Sequence, residues 1–153
     1  MSKIVFVCTG NTCRSPMAAA MAKEVFAQAG LEATVLSAGI SAWPNQPASH
    51  HAILVMEEGG LCLLEHQATG ISDDLLDEAS LVLAMTGNHR AVLLSDYPAA
   101  KDKVFTLAEY VGECMDIADP FGGSLEEYRA CAAQIKELLV LVAEKLSLSE
   151  EQS

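Results

Sequence analysis

The passage from Ile4 to Pro16 limits the fold more than any other. Ile4-Val5-Phe6-Val7-Cys8 is an unbroken apolar run without polar alternation. Such a run reads as a strand buried on both faces, which belongs in a parallel sheet with helices on either side. It leads directly into Thr9-Gly10-Asn11-Thr12-Cys13-Arg14, and Ser15-Pro16 then offers an N-cap and a proline for the first helical position. A strand is expected over Lys3–Cys8 and a helix over Met17–Ala29, ended by Gly30.

The rest of the chain keeps the alternation. Strands are expected over Ala33–Ser37, Leu81–Met85 and Val104–Leu107, and helices over Ala48–Glu58 and Thr86–Leu94, with a short one capped by Ser72. Gly39 to Pro47 reads as a loop. A final helix starts at a capping box, Ser124 with Glu127, and carries Leu125, Tyr128, Ala132, Ile135, Leu139, Val142 and Leu146 at helical spacing. Strands separated by helices predict a single-domain α/β fold, a four-stranded parallel sheet with helices on both faces. The domain is expected over residues 1–146, with 147–153 as a polar C-terminal tail.

In such sheets, ligands bind beyond the carboxyl ends of the strands. The segment at the first strand end lacks the GxxxxGK[ST] of a nucleotide loop. It is a nest of successive backbone N–H groups running into a helix N-terminus, suited to a dianion. Gly10 and Asn11 are residue types that tolerate the positive φ of a tight nest. Arg14 adds a fork able to grip two phosphate oxygens. Cys8 lies beneath these donors, where a thiolate is expected to be stabilised and nucleophilic.

Charge excludes other classes. Nine Lys+Arg against 21 Asp+Glu give a net charge of −12, the wrong sign for nucleic acid or an anionic membrane. No apolar stretch approaches the ~18 residues of a membrane helix, and the first apolar run is too short for a secretion signal. Five cysteines without a CxxC pair fit neither a disulfide frame nor a zinc site, so no metal is expected and the cytoplasm is the expected compartment.

The loop Cys8–Ser15 resembles the signature loop of the low-molecular-weight protein tyrosine phosphatase superfamily, and the likeness extends over nearly the whole chain. Asp119-Pro120-Phe121 resembles that family's general-acid loop. The resemblance implies a two-step reaction without metal or cofactor, in which Cys8 attacks phosphorus while Arg14 and the loop residues Thr9, Gly10, Asn11, Thr12, Cys13 and Ser15, with Phe121, hold the substrate. Asp119 would protonate the leaving group and later deprotonate water. Ser15 would hydrogen-bond the Cys8 sulfur, and Asn11 would brace the loop against Ser37 and His66. It also implies that Cys13 can trap an oxidised Cys8 as a disulfide.

One branch fits better than the rest. Thr12 stands where tyrosine-specific members usually carry Ile, Asp119-Pro120-Phe121-Gly122-Gly123-Ser124 replaces an Asp-Pro-Tyr run, and Ala84-Met85-Thr86 lacks an acid often found there. All three resemble the bacterial protein arginine phosphatases, which implies a monomer acting on phosphorylated proteins. Trp43 in the mouth loop is instead more typical of tyrosine enzymes. An arsenate reductase would need a resolving cysteine pair after the third strand, and Leu81–Asp96 has none. A phosphocarrier would need neither Arg14 nor Asp119. Cys62, Cys114 and Cys131 read as filler, and His50, His51 and His89 as solvent-facing or capping residues without ligand spacing.

Overall fold

The computed structural model describes residues 2–152, with side chains up to 149. Its elements run β1 (Ser2–Cys8), α1 (Arg14–Gln28), β2 (Ala33–Gly39), α2 (His50–Glu58), α3 (Asp73–Glu78), β3 (Leu81–Ala84), α4 (Gly87–Asp96), a 3₁₀ turn (Pro98–Ala100), β4 (Val104–Thr106), α5 (Leu107–Tyr110) and α6 (Leu125–Gln152). The four strands form one sheet in the order β2-β1-β3-β4, with every pair parallel. This is the expected α/β architecture. No helix among the described residues is long and apolar enough to cross a membrane.

The apolar run of β1 is central because both of its faces are covered. Ile4, Phe6 and Cys8 pack with α1, α2 and α6 on one side. Val5 and Val7 pack with Leu76 of α3 and Leu93 of α4 on the other. Each of these β1 residues is at most 3% exposed, so alternation along the strand serves two cores rather than one core and solvent. Register places Cys8 beside Gly39 of β2. The carboxyl ends of the two strands are thereby level, and the loop after β1 crosses Gly39 closely. A Cβ added there would lie 2.6 Å from the Thr9 carbonyl oxygen and 2.9 Å from the Asn11 nitrogen.

Three local expectations are corrected. Helix α1 begins at Arg14 with Cys13 as its N-cap residue and no side-chain cap. The nest winds straight into the helix, which makes Ser15 and Pro16 its second and third residues. Proline is tolerated there because the first-turn N–H groups have no intrahelical acceptor, and the Ser15 hydroxyl is left for other partners. Helix α5 is an element beyond the expected set: Thr106 and Glu109 form a reciprocal capping box just where β4 ends. Lastly, of the two nest residues only Asn11 has positive φ, at 56°; Gly10 does not. Helix α6 continues past Leu146 through residues 147–152, while Ser153 lies outside the described residues.

Candidate active site

The loop between β1 and α1 is held from behind by buried polar contacts. Asn11 is fully buried, and its Nδ2 donates to Ser15 Oγ at 2.8 Å and to Ser37 Oγ at 2.9 Å. Its Oδ1 accepts from the Thr69 N–H at 2.9 Å. His66 Nε2 lies 2.7 Å from the Asn11 carbonyl oxygen and donates to it. A short polar side chain is what lets a non-glycine residue keep the left-handed backbone. Ser37 and His66 thus both stand against Asn11.

Ser15 Oγ is 2.9 Å from Cys8 Sγ. Because Ser15 Oγ already accepts from Asn11 Nδ2, its own hydrogen is free for the sulfur. Arg14 is buried at 4% exposure, its Nη1 donating to the Ile117 carbonyl oxygen at 2.7 Å. That bond fixes the guanidinium plane and also draws in the segment carrying Asp119. Ile117 N–H donates to the Met85 carbonyl oxygen at 3.0 Å, and Asp116 Oδ1 accepts from the Gly87 N–H at 2.9 Å. The acid loop is thus pinned to the ends of β3 and α4. Asp119 Oδ2 sits 3.7 Å from Arg14 Nη2 with its side chain half exposed, and Asp119 Oδ1 accepts from the Phe121 N–H at 3.0 Å.

Between these groups lies a cavity of about 270 Å³, lined by loop residues 8–10 and 12–14 together with Gln46, Asp119 and Phe121. A groove of about 820 Å³ beside α1 and β2 is larger, but only the smaller cavity brings a thiol, a guanidinium and a carboxylate together. Asn11 and Ser15 do not line it; they are buried behind the loop. Trp43, 77% exposed, does not line it either. Among the described residues no group of three or more His, Cys, Asp or Glu side chains is placed to hold a metal ion.

All five cysteines are free thiols. Cys13 Sγ lies 3.3 Å from Tyr128 Oη and 3.5 Å from Ser49 Oγ, so Ser49, the N-cap residue of α2, spends its hydroxyl here rather than on the helix. Burial pushes the Tyr128 phenol up to about 12, with Cys13 adding to the shift. Burial likewise pushes the Cys131 thiol up to about 12, as suits an inert filler. Cys62 and Cys114 are exposed.

Among the residues missed from sequence are the lining residue Gln46 and the supporting residue His89. Gln46 reaches the cavity because its backbone is tied on both sides, to Trp43 and to Ala68; no motif marks it. His89 is the larger miss, and its expected solvent-facing or capping role is corrected. It is 7% exposed, and its Nε2 lies 2.8 Å from Thr9 Oγ1. Burial, reinforced by Arg14 and opposed by Asp119 and Asp116, pushes its pKa down to about 4. His50 is exposed, whereas His51 packs edge-on against Tyr128 at 5.3 Å between ring centres.

A doubly covered parallel sheet with its nucleophile at a strand end, under an anion-gripping helix start, is the design of a cysteine-based phosphatase. The model of the family described as low molecular weight phosphotyrosine protein phosphatase matches residues 3–152, and the chain belongs to that family. The protein-arginine-phosphatase of Bacillus subtilis is 44% identical over 144 residues, 94% of this chain and 95% of the relative. A low molecular weight protein-tyrosine-phosphatase, PtpB of Staphylococcus haemolyticus, is 38% identical over 137 residues, 90% of this chain and 94% of its own. Among solved structures, a YwlE arginine phosphatase mutant with a phosphorylated active-site serine superposes with a TM-score of 0.92 at 43% identity, covering 95% of each chain.

Proposed function

We propose that this protein, a cytoplasmic monomer, removes phosphate from phosphoarginine side chains of proteins through a phosphocysteine intermediate on Cys8. The observation that carries the reading is the cavity in which Cys8, Arg14 and Asp119 meet beside Thr12. The substrate's phosphoryl group is held by Arg14 and by the first-turn N–H groups of α1. Cys8 sulfur attacks phosphorus as the P–N bond breaks, and Asp119 gives its proton to the departing guanidino nitrogen. Asp119, now a carboxylate, then takes a proton from water as that water attacks phosphorus. The S–P bond breaks, and inorganic phosphate leaves.

Support for arginine over tyrosine comes from the wall and from the relatives. Thr12 borders the space where the leaving group begins. A guanidinium brings N–H donors that an apolar wall would leave unpaired on desolvation, whereas a hydroxyl accepts from them. Trp43, which favoured a phenol, stands outside the cavity, and relatives named protein-arginine-phosphatase share 44% of the sequence. The test is kcat/KM on phosphoarginine and phosphotyrosine peptides, in wild type and in Thr12→Ile. We expect the wild type to prefer phosphoarginine and the variant to shift the ratio toward phosphotyrosine by roughly 10–200-fold, the effect of one unpaired polar group. A wild type that prefers phosphotyrosine would make this a tyrosine phosphatase.

A further inference from the structure

Within that phosphatase reading, on which the following rests, the geometry points to His89 as a positioning residue. It aims the Thr9 hydroxyl into the anion cavity, where that hydroxyl donates to a phosphoryl oxygen of the substrate.

His89 is the third residue of α4 and lies 80 positions from Thr9 in sequence, yet its Nε2 is 2.8 Å from Thr9 Oγ1. Its other ring nitrogen, Nδ1, is buried and has no partner among the described residues. These two facts settle the tautomer. The ring is neutral at ordinary pH, since burial and Arg14 together outweigh Asp119 and Asp116. A neutral imidazole carries one N–H. Were that hydrogen on Nδ1, a buried donor would be left unpaired, the rarer and costlier defect; with the hydrogen on Nε2, only a lone pair goes unused.

Nε2–H therefore donates to Thr9 Oγ1. The hydroxyl, with an acceptor position filled, keeps its own hydrogen for another partner. Thr9 lines the cavity with Cys8 and Arg14, and phosphoryl oxygens are the acceptors that Arg14 draws there. Without His89 the hydroxyl would rotate freely, and its orientation would have to be fixed anew at each binding event. The imidazole also adds its bulk, not its charge, beside Arg14. A lysine or arginine in its place would set a second cation against the guanidinium.

The experiment uses the full chain with p-nitrophenyl phosphate as substrate and inorganic phosphate as inhibitor, so it is independent of arginine specificity. Variants are His89→Phe, Thr9→Val, the double variant, and His89→Gln, whose Nε2 can donate in the same direction. Losing one oriented hydrogen bond should lower kcat/KM about tenfold in either single variant, and raise the phosphate inhibition constant in step. The double variant should be no worse than either single one, and His89→Gln should recover most of the loss. Losses that multiply in the double variant, or a phosphate inhibition constant unmoved by His89→Phe, would overturn the assignment. Imidazole ¹⁵N shifts of the wild type read the tautomer whether or not the phenylalanine variant folds; protonated Nε2 supports the proposal and protonated Nδ1 refutes it. A wild type that neither binds phosphate nor turns over the ester would overturn the phosphatase reading, and this one with it.

Discussion

Replacing Asn11 with alanine should uncouple the loop from the sheet, and its cost follows from the contacts removed. Asn11 Nδ2 loses Ser15 at 2.8 Å and Ser37 at 2.9 Å, and the Thr69 N–H loses its acceptor at 2.9 Å. At a net ~1 kcal/mol each, three hydrogen bonds, one buried and two half-buried, amount to about 2–4 kcal/mol. Alanine must also hold the φ of 56°, which adds roughly 1 kcal/mol for a residue without a locally bonding side chain. The sum, about 3–5 kcal/mol, is a large share of the ~5–15 kcal/mol that holds an ordinary domain together. Urea denaturation followed by circular dichroism should show the midpoint falling with the slope unchanged. Turnover should fall by more than tenfold in the folded fraction, because the Ser15 hydroxyl is no longer oriented toward Cys8. Asn11→Gly removes the same bonds but frees the backbone, so its midpoint should not fall below that of the alanine variant. An alanine variant within ~1 kcal/mol of wild type, the value of a single bond, would refute the reasoning.

Asp119→Asn should slow turnover by about 10²–10⁴-fold, and more for phosphoarginine than for p-nitrophenyl phosphate, whose leaving group departs unprotonated; equal losses would reduce Asp119 to a shaping role. Gly39→Ala should cost about 1–3 kcal/mol and lower activity with it, since the added Cβ would sit 2.6 Å from the Thr9 carbonyl oxygen, an atom that cannot move without the loop. His89, with its pKa pushed down to about 4, stays neutral in the fold while the unfolded chain takes up a proton near the ordinary 6.5. Stability should therefore fall as pH drops from about 6.5 to about 4, by up to ~3 kcal/mol from this residue. The check is the pH dependence of melting in wild type against His89→Gln, and parallel curves would refute it.

Sequence legibility followed distance along the chain. The strand, the nest and the helix after it are contiguous, and their pattern is strong enough to place Cys8, Arg14 and the sheet. Asp119, Ser37 and His66 came from resemblance, since no local pattern ties them to the loop. The error at Ser15 arose because a Ser-Pro pair signals a helix start, and nothing in it reveals that the helix already begins one residue earlier, at Arg14. Helix α5 could have been found: Thr106-Leu107-Ala108-Glu109 is a capping box, obscured by β4 ending on its first residue. His89 could not have been, because its meaning lies wholly in a contact with Thr9 across 80 positions. Gln46 likewise depends on where two backbone ties set a loop.

The supports of the loop arrive from ever more distant parts of the chain. Its partners lie 26 positions away at Ser37, 55 at His66, 80 at His89, 103 at Ile117 and 115 at Tyr128. Each such closure carries an entropic cost that is met only when the intervening elements are in place. During synthesis the thiol and its loop emerge first, and the last of their supports comes with α6. A growing or truncated chain holds the reactive sequence without the architecture that aims it. Competence to take phosphate from other proteins is therefore conferred late and all at once, and fragments released by proteolysis should carry the signature loop without its power.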